Sequence, residues 1–377
     1  MDFPQNMSME EAFALAEAEA KLKQAIAAGK ARFDQAIIPN RYNEDWRFGR
    51  PNKYATALAE LLQSSTPSRG HANVNNAGEA AMPVCADDED LRQTEMLMPS
   101  IGSDALLGMH LEHFGSGYAL FIEESCTEPI HIYYDTDSLY TPSTFIMVAP
   151  GVKAEVVEHH RGTSADATMF VTRNIHVAEG AELKVSLHSA GFARYICITD
   201  IQNMGGKVSH LTQYENNLWT REETVAEIYA ATAGTFNNLY SANRPNGESV
   251  LDQHTRQIHH VGGAASDLLY KNVIDDKATA VFAGNIYVAA GAHHTDAYQS
   301  NRNMLLSEKA TVHSLPGLEI LADKVRCSHG SASAPMDDEQ LFYLCARGIP
   351  RREAQLLVAD GFLADVLNKF RADSQSS

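Results

Sequence analysis

Apolar positions change their period twice along this 377-residue chain. In the first part they recur at helical spacing, as at Phe13, Leu15, Leu22 and Ile26, which predicts an N-terminal helical region over residues 1–75. The Pro- and Gly-punctuated stretch IIPNRYNEDWRFGRPNK interrupts it. The following segment SSTPSRGHANVNNAGEAAMP has little apolar content and reads as a mobile linker, and residues 76–107 are expected to be linker and entry to the core. From there the pattern is short runs of β-branched and aromatic residues cut by Gly, Asn and Asp. Residues 108–334 are therefore predicted to be an all-β core.

A weak repeat runs through that core. Val148-Ala-Pro-Gly-Val152, Val177-Ala-Glu-Gly-Ala181, Ile274-Asp-Asp-Lys-Ala278, Val288-Ala-Ala-Gly-Ala292 and Leu306-Ser-Glu-Lys-Ala310 share an apolar-x-x-Gly/Lys-small frame that reads as a turn between strands. Spacings near fifteen or near multiples of about thirty suit a solenoid whose coils each contribute two or more short strands. A parallel β-helix is the expected architecture. Its rival, a sandwich or jelly roll built of hairpins, would use dipeptides such as Asn246-Gly247, and that one stands alone.

Helical spacing returns at the end. Asp337 offers an N-cap oxygen, Gln340 falls at the capping-box position, and Leu341, Leu344 and Cys345 share a face. Gly348 closes that helix, Pro350 suits the first turn of the next, and Leu356, Leu357, Phe362, Leu363, Val366 and Leu367 supply its apolar positions. Residues 335–377 are thus predicted to form a C-terminal helical region.

The formal charge of −18, with no clustered Lys or Arg, argues against nucleic-acid binding and leaves proteins or small ions as partners. No segment reads as a signal peptide or a membrane span, so the expected location is cytoplasmic. Five cysteines at positions 85, 126, 197, 327 and 345 include no Cys-x-x-Cys, as expected in a reducing compartment. That spacing excludes a zinc ribbon or a ferredoxin-like cluster site within this chain alone, so any metal site must be sparse or shared.

The candidate chemistry lies in Cys327-Ser-His329. On a strand these two side chains share a face, presenting a soft thiolate and an imidazole to iron or sulfur. The competing reading is a buried Cys acting as a small hydrophobe beside a hydrogen-bonded His. Three adjacent pairs, His159-His160, His259-His260 and His293-His294, do not chelate by adjacency, because strand neighbours point to opposite faces. Two enzyme readings stay open. A β-helix enzyme acting on polysaccharide would draw on Asp252, Arg256 and Asp296, and a Cys–His hydrolase on Cys327 with His329.

The stretches Ala322–Gly330, Asp338–Leu344, Ala346–Ile349 and Glu353–Gln355 resemble the C-terminal signature of the SufB/SufD family of SUF iron–sulfur assembly scaffolds. Glu44–Phe48, Phe282–Val288 and the run from Thr295 through Asn301 to Leu306 agree with the same family, and Cys-Ser-His-Gly is most similar to its SufD branch. The resemblance implies a right-handed parallel β-helix with helical ends, working as a scaffold and not as an enzyme. Implied partners are a SufB-type subunit and a SufC-type ABC ATPase, since this chain has no phosphate-binding loop of its own. A transient iron–sulfur cluster would be shared across the interface, none being held by this chain alone. His329 would be the ligand or proton-relay group, completed by a cysteine of the SufB-type subunit, with Cys327 assisting less directly. Around the helix pair, Phe342, Tyr343, Arg347 and Gly348 would contact the ATPase. A SufB-like role, or a homodimer when isolated, is the alternative within the family.

Overall fold

All five repeated frames close with the same backbone hydrogen bond. In the computed structural model, which describes residues 71–77, 80–85, 110 and 116–373, the backbone N–H of the fifth residue donates to the carbonyl of the second. Val152 reaches Ala149 and Ala181 reaches Ala178 at 3.2 Å, Ala278 reaches Asp275 at 3.1 Å, Ala292 reaches Ala289 at 3.0 Å and Ala310 reaches Ser307 at 3.2 Å. Gly151, Gly180 and Gly291 take φ of 73°, 67° and 86°, a left-handed conformation that costs glycine nothing. The small fifth residue matters for a different reason. Ala181, Ala278 and Ala292 are wholly buried where the chain turns back into the interior.

Between turns the strands stack coil upon coil into a β-solenoid of about eight turns. Among the described residues they form one nine-stranded and one ten-stranded sheet. Register carries a residue straight up the stack: Leu183, Val208, Asn237, Ser266, Ala297 and Cys327 are successive partners in parallel strands. Among the described residues, antiparallel pairing occurs only where His71–Asn75 meets Ile130–Thr136 and Ala81–Cys85 meets Ser116–Ile122. The parallel β-helix is therefore the fold, and the sandwich is excluded. Asn246-Gly247 does make a turn, with Gly247 at φ 63°, but it joins strands of different sheets and not a hairpin.

One expectation is corrected. The segment read as a mobile linker contains two strands, His71–Asn75 and Ala81–Cys85, and the first lies inside the region read as helical. These are edge strands at the start of the stack, and a ladder of backbone hydrogen bonds needs no apolar side chain on a face left to solvent. The rest of the predicted N-terminal helical region, and the Glu44–Phe48 motif, lie outside the described residues.

The interior changes character along the axis. Its first half is mainly apolar, with Leu120, Ile132, Val156, Val185, Leu187 and Val208 in one cluster, although Glu158 and Arg173 are buried there too. Toward the C-terminal end the inward positions turn polar, at Gln253, Asn272, Gln299, Asn301 and Asn303, all buried.

Both predicted C-terminal helices form: α1 (Asp338–Cys345) and α2 (Arg351–Ala372). Asp337 caps α1 by accepting from the Glu339 N–H at 2.9 Å, and Gly348 at φ 86° ends the connection. Helix α2 lays Ala359, Leu363, Val366 and Phe370 against Leu211, Tyr240, Ala242, Leu269 and Val273 on the outside of the solenoid. Its end is pinned by Asp373, whose Oδ2 accepts from Ser209, Asn238 and Tyr240 at 2.7, 3.0 and 2.9 Å. No helix among the described residues is long and apolar enough to cross a membrane.

Candidate functional site

The last coil leaves an open end. Its strands Thr311–Ile320 and Arg326–Pro335 terminate their sheets, and among the described residues nothing covers either: Leu315, Leu318, Ile320 and Leu321 are exposed. An apolar strand edge of this kind invites pairing with a second chain.

His329 stands on this coil. Alternation along the strand below settles its direction, since Tyr298 is 43% exposed while Gln299 is only 2% exposed. Gln299 is the register partner of His329, and Ala297 that of Cys327, so both candidate residues take the inward face and look out of the open end. His329 is exposed there. Cys327 is half-buried against Ala297, Ile286, Val288, Ala322 and Val325. Burial pushes its thiol above the ordinary range, with nearby Asp296 adding to the rise. The thiol thus sits in an apolar setting that disfavours its thiolate form. That setting is also wrong for a nucleophile, which disfavours the Cys–His hydrolase.

Below the coil lies a polar floor that the motif reading missed. Both amide atoms of Gln299 and Nδ2 of Asn301 are buried with no hydrogen-bond partner among the described residues. Leaving such groups unpaired costs about 1–3 kcal/mol each. From Asn301 a hydrogen-bonded chain leads both ways. Ser314 donates to Asn301 at 3.3 Å and Ser331 to Ser314 at 2.8 Å, while Asn303 donates to Asn301 at 2.7 Å and Asn272 to Asn303 at 3.1 Å. The signal was present as polar residues at period two in Ala297-Tyr-Gln299-Ser-Asn301-Arg-Asn303.

Among the described residues, no three or more His, Cys, Asp or Glu side chains are placed to hold a metal. The histidine pairs behave largely as alternation requires. His160 is inside, 2.7 Å from the Tyr195 hydroxyl, while His159 stacks outside on Tyr133 and makes a 3.1 Å hydrogen bond with His131. Inside, His259 contacts the Ser266 hydroxyl at 2.9 Å; outside, His260 meets Glu227 at 2.6 Å. His293 and His294 instead occupy a turn, and both are exposed. Asp252 is buried against Arg221 at 2.9 Å, and Asp296 pairs with Arg326 at 2.6 Å on a strand of the other sheet. These carboxylates do not form the facing pair that a polysaccharide hydrolase would need.

On the helical side, Phe342 is 76% and Tyr343 55% exposed, and the Arg347 guanidinium lies 3.6 Å from the Tyr343 ring centroid. Leu356 and Leu357, expected on the packed face of α2, are exposed as well. Four large apolar side chains and a stacked arginine thus face solvent on the helix pair.

The family model described as SUF system FeS cluster assembly, SufBD core domain, matches residues 131–362. An iron–sulfur cluster assembly SufBD family protein of Synechocystis sp. is 25% identical over 384 residues, covering 91% of this chain and 79% of that protein. The iron–sulfur cluster assembly protein SufD of Escherichia coli is 30% identical over 239 residues, 59% of this chain and 53% of its own length. SufD of Bacillus subtilis is 26% identical over 276 residues, 70% of this chain and 62% of its own. The matched core spans more than half of this chain, including the open-end coil with His329, α1 and the first part of α2. On that match the chain belongs to the SufBD family of SUF-system iron–sulfur cluster assembly proteins.

Proposed function

We propose that this chain is a SufD-like scaffold subunit whose open end completes a cluster-assembly site against a SufB-type subunit. The iron–sulfur cluster is cargo, not a resident cofactor. The observation carrying this reading is an exposed imidazole at an uncovered strand edge with only a half-buried cysteine beside it. One imidazole cannot hold an iron–sulfur cluster, which needs several soft ligands, so a second chain pairing along the edge has to supply the rest.

The test uses the complex co-expressed with SufB- and SufC-type partners. His329→Ala should leave the melting temperature unchanged, because an exposed side chain contributes little packing, and lower bound iron and labile sulfide by tenfold or more, the order of loss seen when a metal site loses a supporting group. A normal cluster yield would sink the reading.

Coupling to a SufC-type ATPase is assigned to the helix pair. Exposed Phe342 and Tyr343 with stacked Arg347 have the composition of interface anchors, and truncating such anchors costs about 2 kcal/mol or more. Gly348 lets the connection turn beneath them. Arg347→Glu should abolish co-purification of the ATPase while leaving the circular dichroism spectrum as it was; retained binding would refute the assignment. A homodimeric scaffold is the second reading, supported by the same apolar edge of Leu315, Leu318 and Ile320. The mass of the isolated complex separates the two.

A further inference from the structure

The carboxamide of Gln299 lies one coil beneath His329, on the same inward face and in register with it, and neighbouring strands are about 4.8 Å apart. It is 2% exposed, and neither Oε1 nor Nε2 has a partner among the described residues. The chain makes room for this amide. Across the interior stands Gly284, where a Cβ would come within 2.5 Å of the Gln299 Oε1. A glycine in the middle of the strand Thr279–Val288 weakens the strand unless something needs the space. Here that space is shared by the Gln299 amide and the tip of the Phe282 ring, whose Cζ a Cβ would meet at 2.6 Å. Asn301, two residues on, holds its own Oδ1 in bonds from Asn303 and Ser314, so it cannot turn that oxygen toward Gln299.

A buried amide is retained where it has hydrogen bonds to make, and the polar group in register above this one is the His329 ring. Metal-binding imidazoles characteristically use their second ring nitrogen to bond a fixed oxygen, which sets the tautomer and aims the free nitrogen at the ligand. We infer that Gln299 is a positioning residue for the open-end site: its carboxamide, directly or through water in the solenoid interior, bonds the inner nitrogen of the His329 ring and so presents the outer nitrogen at the open end. A carboxamide suits this task better than a carboxylate, because it orients the ring without adding a buried charge. The inference deepens the scaffold reading and rests on it for what His329 binds, though not for how the ring is held.

The test is made on the full chain labelled with 15N-histidine, with the His329 signals assigned by their loss in His329→Ala. Gln299→Met keeps the length of the side chain and removes both amide atoms; Gln299→Glu restores an acceptor. The ring-nitrogen shifts, read where the imidazole is neutral, should show the His329 tautomer ratio moving roughly fivefold in Gln299→Met, the equivalent of one ordinary hydrogen bond, and returning toward the wild-type ratio in Gln299→Glu. In the assembled complex Gln299→Met should reduce cluster loading by about tenfold. An unchanged tautomer ratio in Gln299→Met overturns the inference, whether or not the variant melts earlier. If the ratio moves while His329→Ala loads clusters normally, the positioning stands and the scaffold reading is what fails.

Discussion

Replacing Arg173 by Met is expected to remove about 3–5 kcal/mol from the stability of the solenoid, the usual cost of stripping one partner from a buried ion pair. Arg173 and Glu158 are both fully buried in the interior. The guanidinium donates from Nε to Glu158 at 2.8 Å, approaches the same carboxylate through its NH2 group at 2.6 Å, and gives its remaining bonds to Thr199 at 3.1 Å and His210 at 2.7 Å. Burial by itself would raise the Glu158 carboxyl, yet the adjacent Arg173 and the contact with His160 bring it down to about 2. Without the arginine, Glu158 must either keep an uncompensated charge or take up a proton. Urea unfolding of Arg173→Met measures the loss, and a value under about 1 kcal/mol would contradict this account. The double variant Glu158→Leu with Arg173→Met should recover most of the stability, because two apolar groups avoid the desolvation that the pair has to offset.

Acidification from pH 7 to pH 4 is expected to destabilise the fold steeply, and buried histidines are the cause. Burial lowers His259 to about 4, with neighbouring His260 contributing. Burial likewise depresses His160 and holds His210 well below the ordinary imidazole value, Arg173 adding to the effect in both. An unfolded histidine takes up its proton near pH 6.5, while these folded ones resist until much lower pH. The unfolded state therefore binds more protons throughout that window, and stability rises with pH across it. Read downward, the contribution is complete above about pH 6.5 and is lost toward each folded value. For His259 alone that amounts to about 3 kcal/mol. Glu222 and Asp267 act in the opposite sense, since burial raises both carboxyls and protonation there favours the fold, but burial also lowers His159, His176, His188 and His313, so the histidines outnumber them. Melting temperatures between pH 7.5 and 4.5 test the prediction, and His259→Gln should flatten the curve; a wild-type profile with no slope in that range would sink it.

Much of this molecule was legible in the linear sequence. The five apolar-x-x-Gly/Lys-small frames are local, and each closes with the same backbone hydrogen bond. Asp337 at an N-cap and Gly348 beyond a C-terminus are statements about one helix end each, and they too survived folding unchanged. Cys327 and His329 shared a face because strand alternation is a property of the backbone. Where a residue's role depends on neighbours within a few positions, the sequence suffices.

Other features arise only when coils stack. Burial of Cys327 comes from Ile286, Val288 and Ala297 on earlier coils, and it disfavours the thiolate that the motif suggested. The edge strands His71–Asn75 and Ala81–Cys85 looked like linker because their order comes from backbone bonds to strands tens of residues away. Glu158 and Arg173 are fifteen positions apart, with nothing between them to announce a pair. Gln299 lies beneath His329 because a step of thirty positions along the chain completes one circuit. A polar side chain costs little in an extended chain surrounded by water and several kcal/mol in a dry interior, so its meaning is set by burial, and burial belongs to the assembled coil and not to the residue.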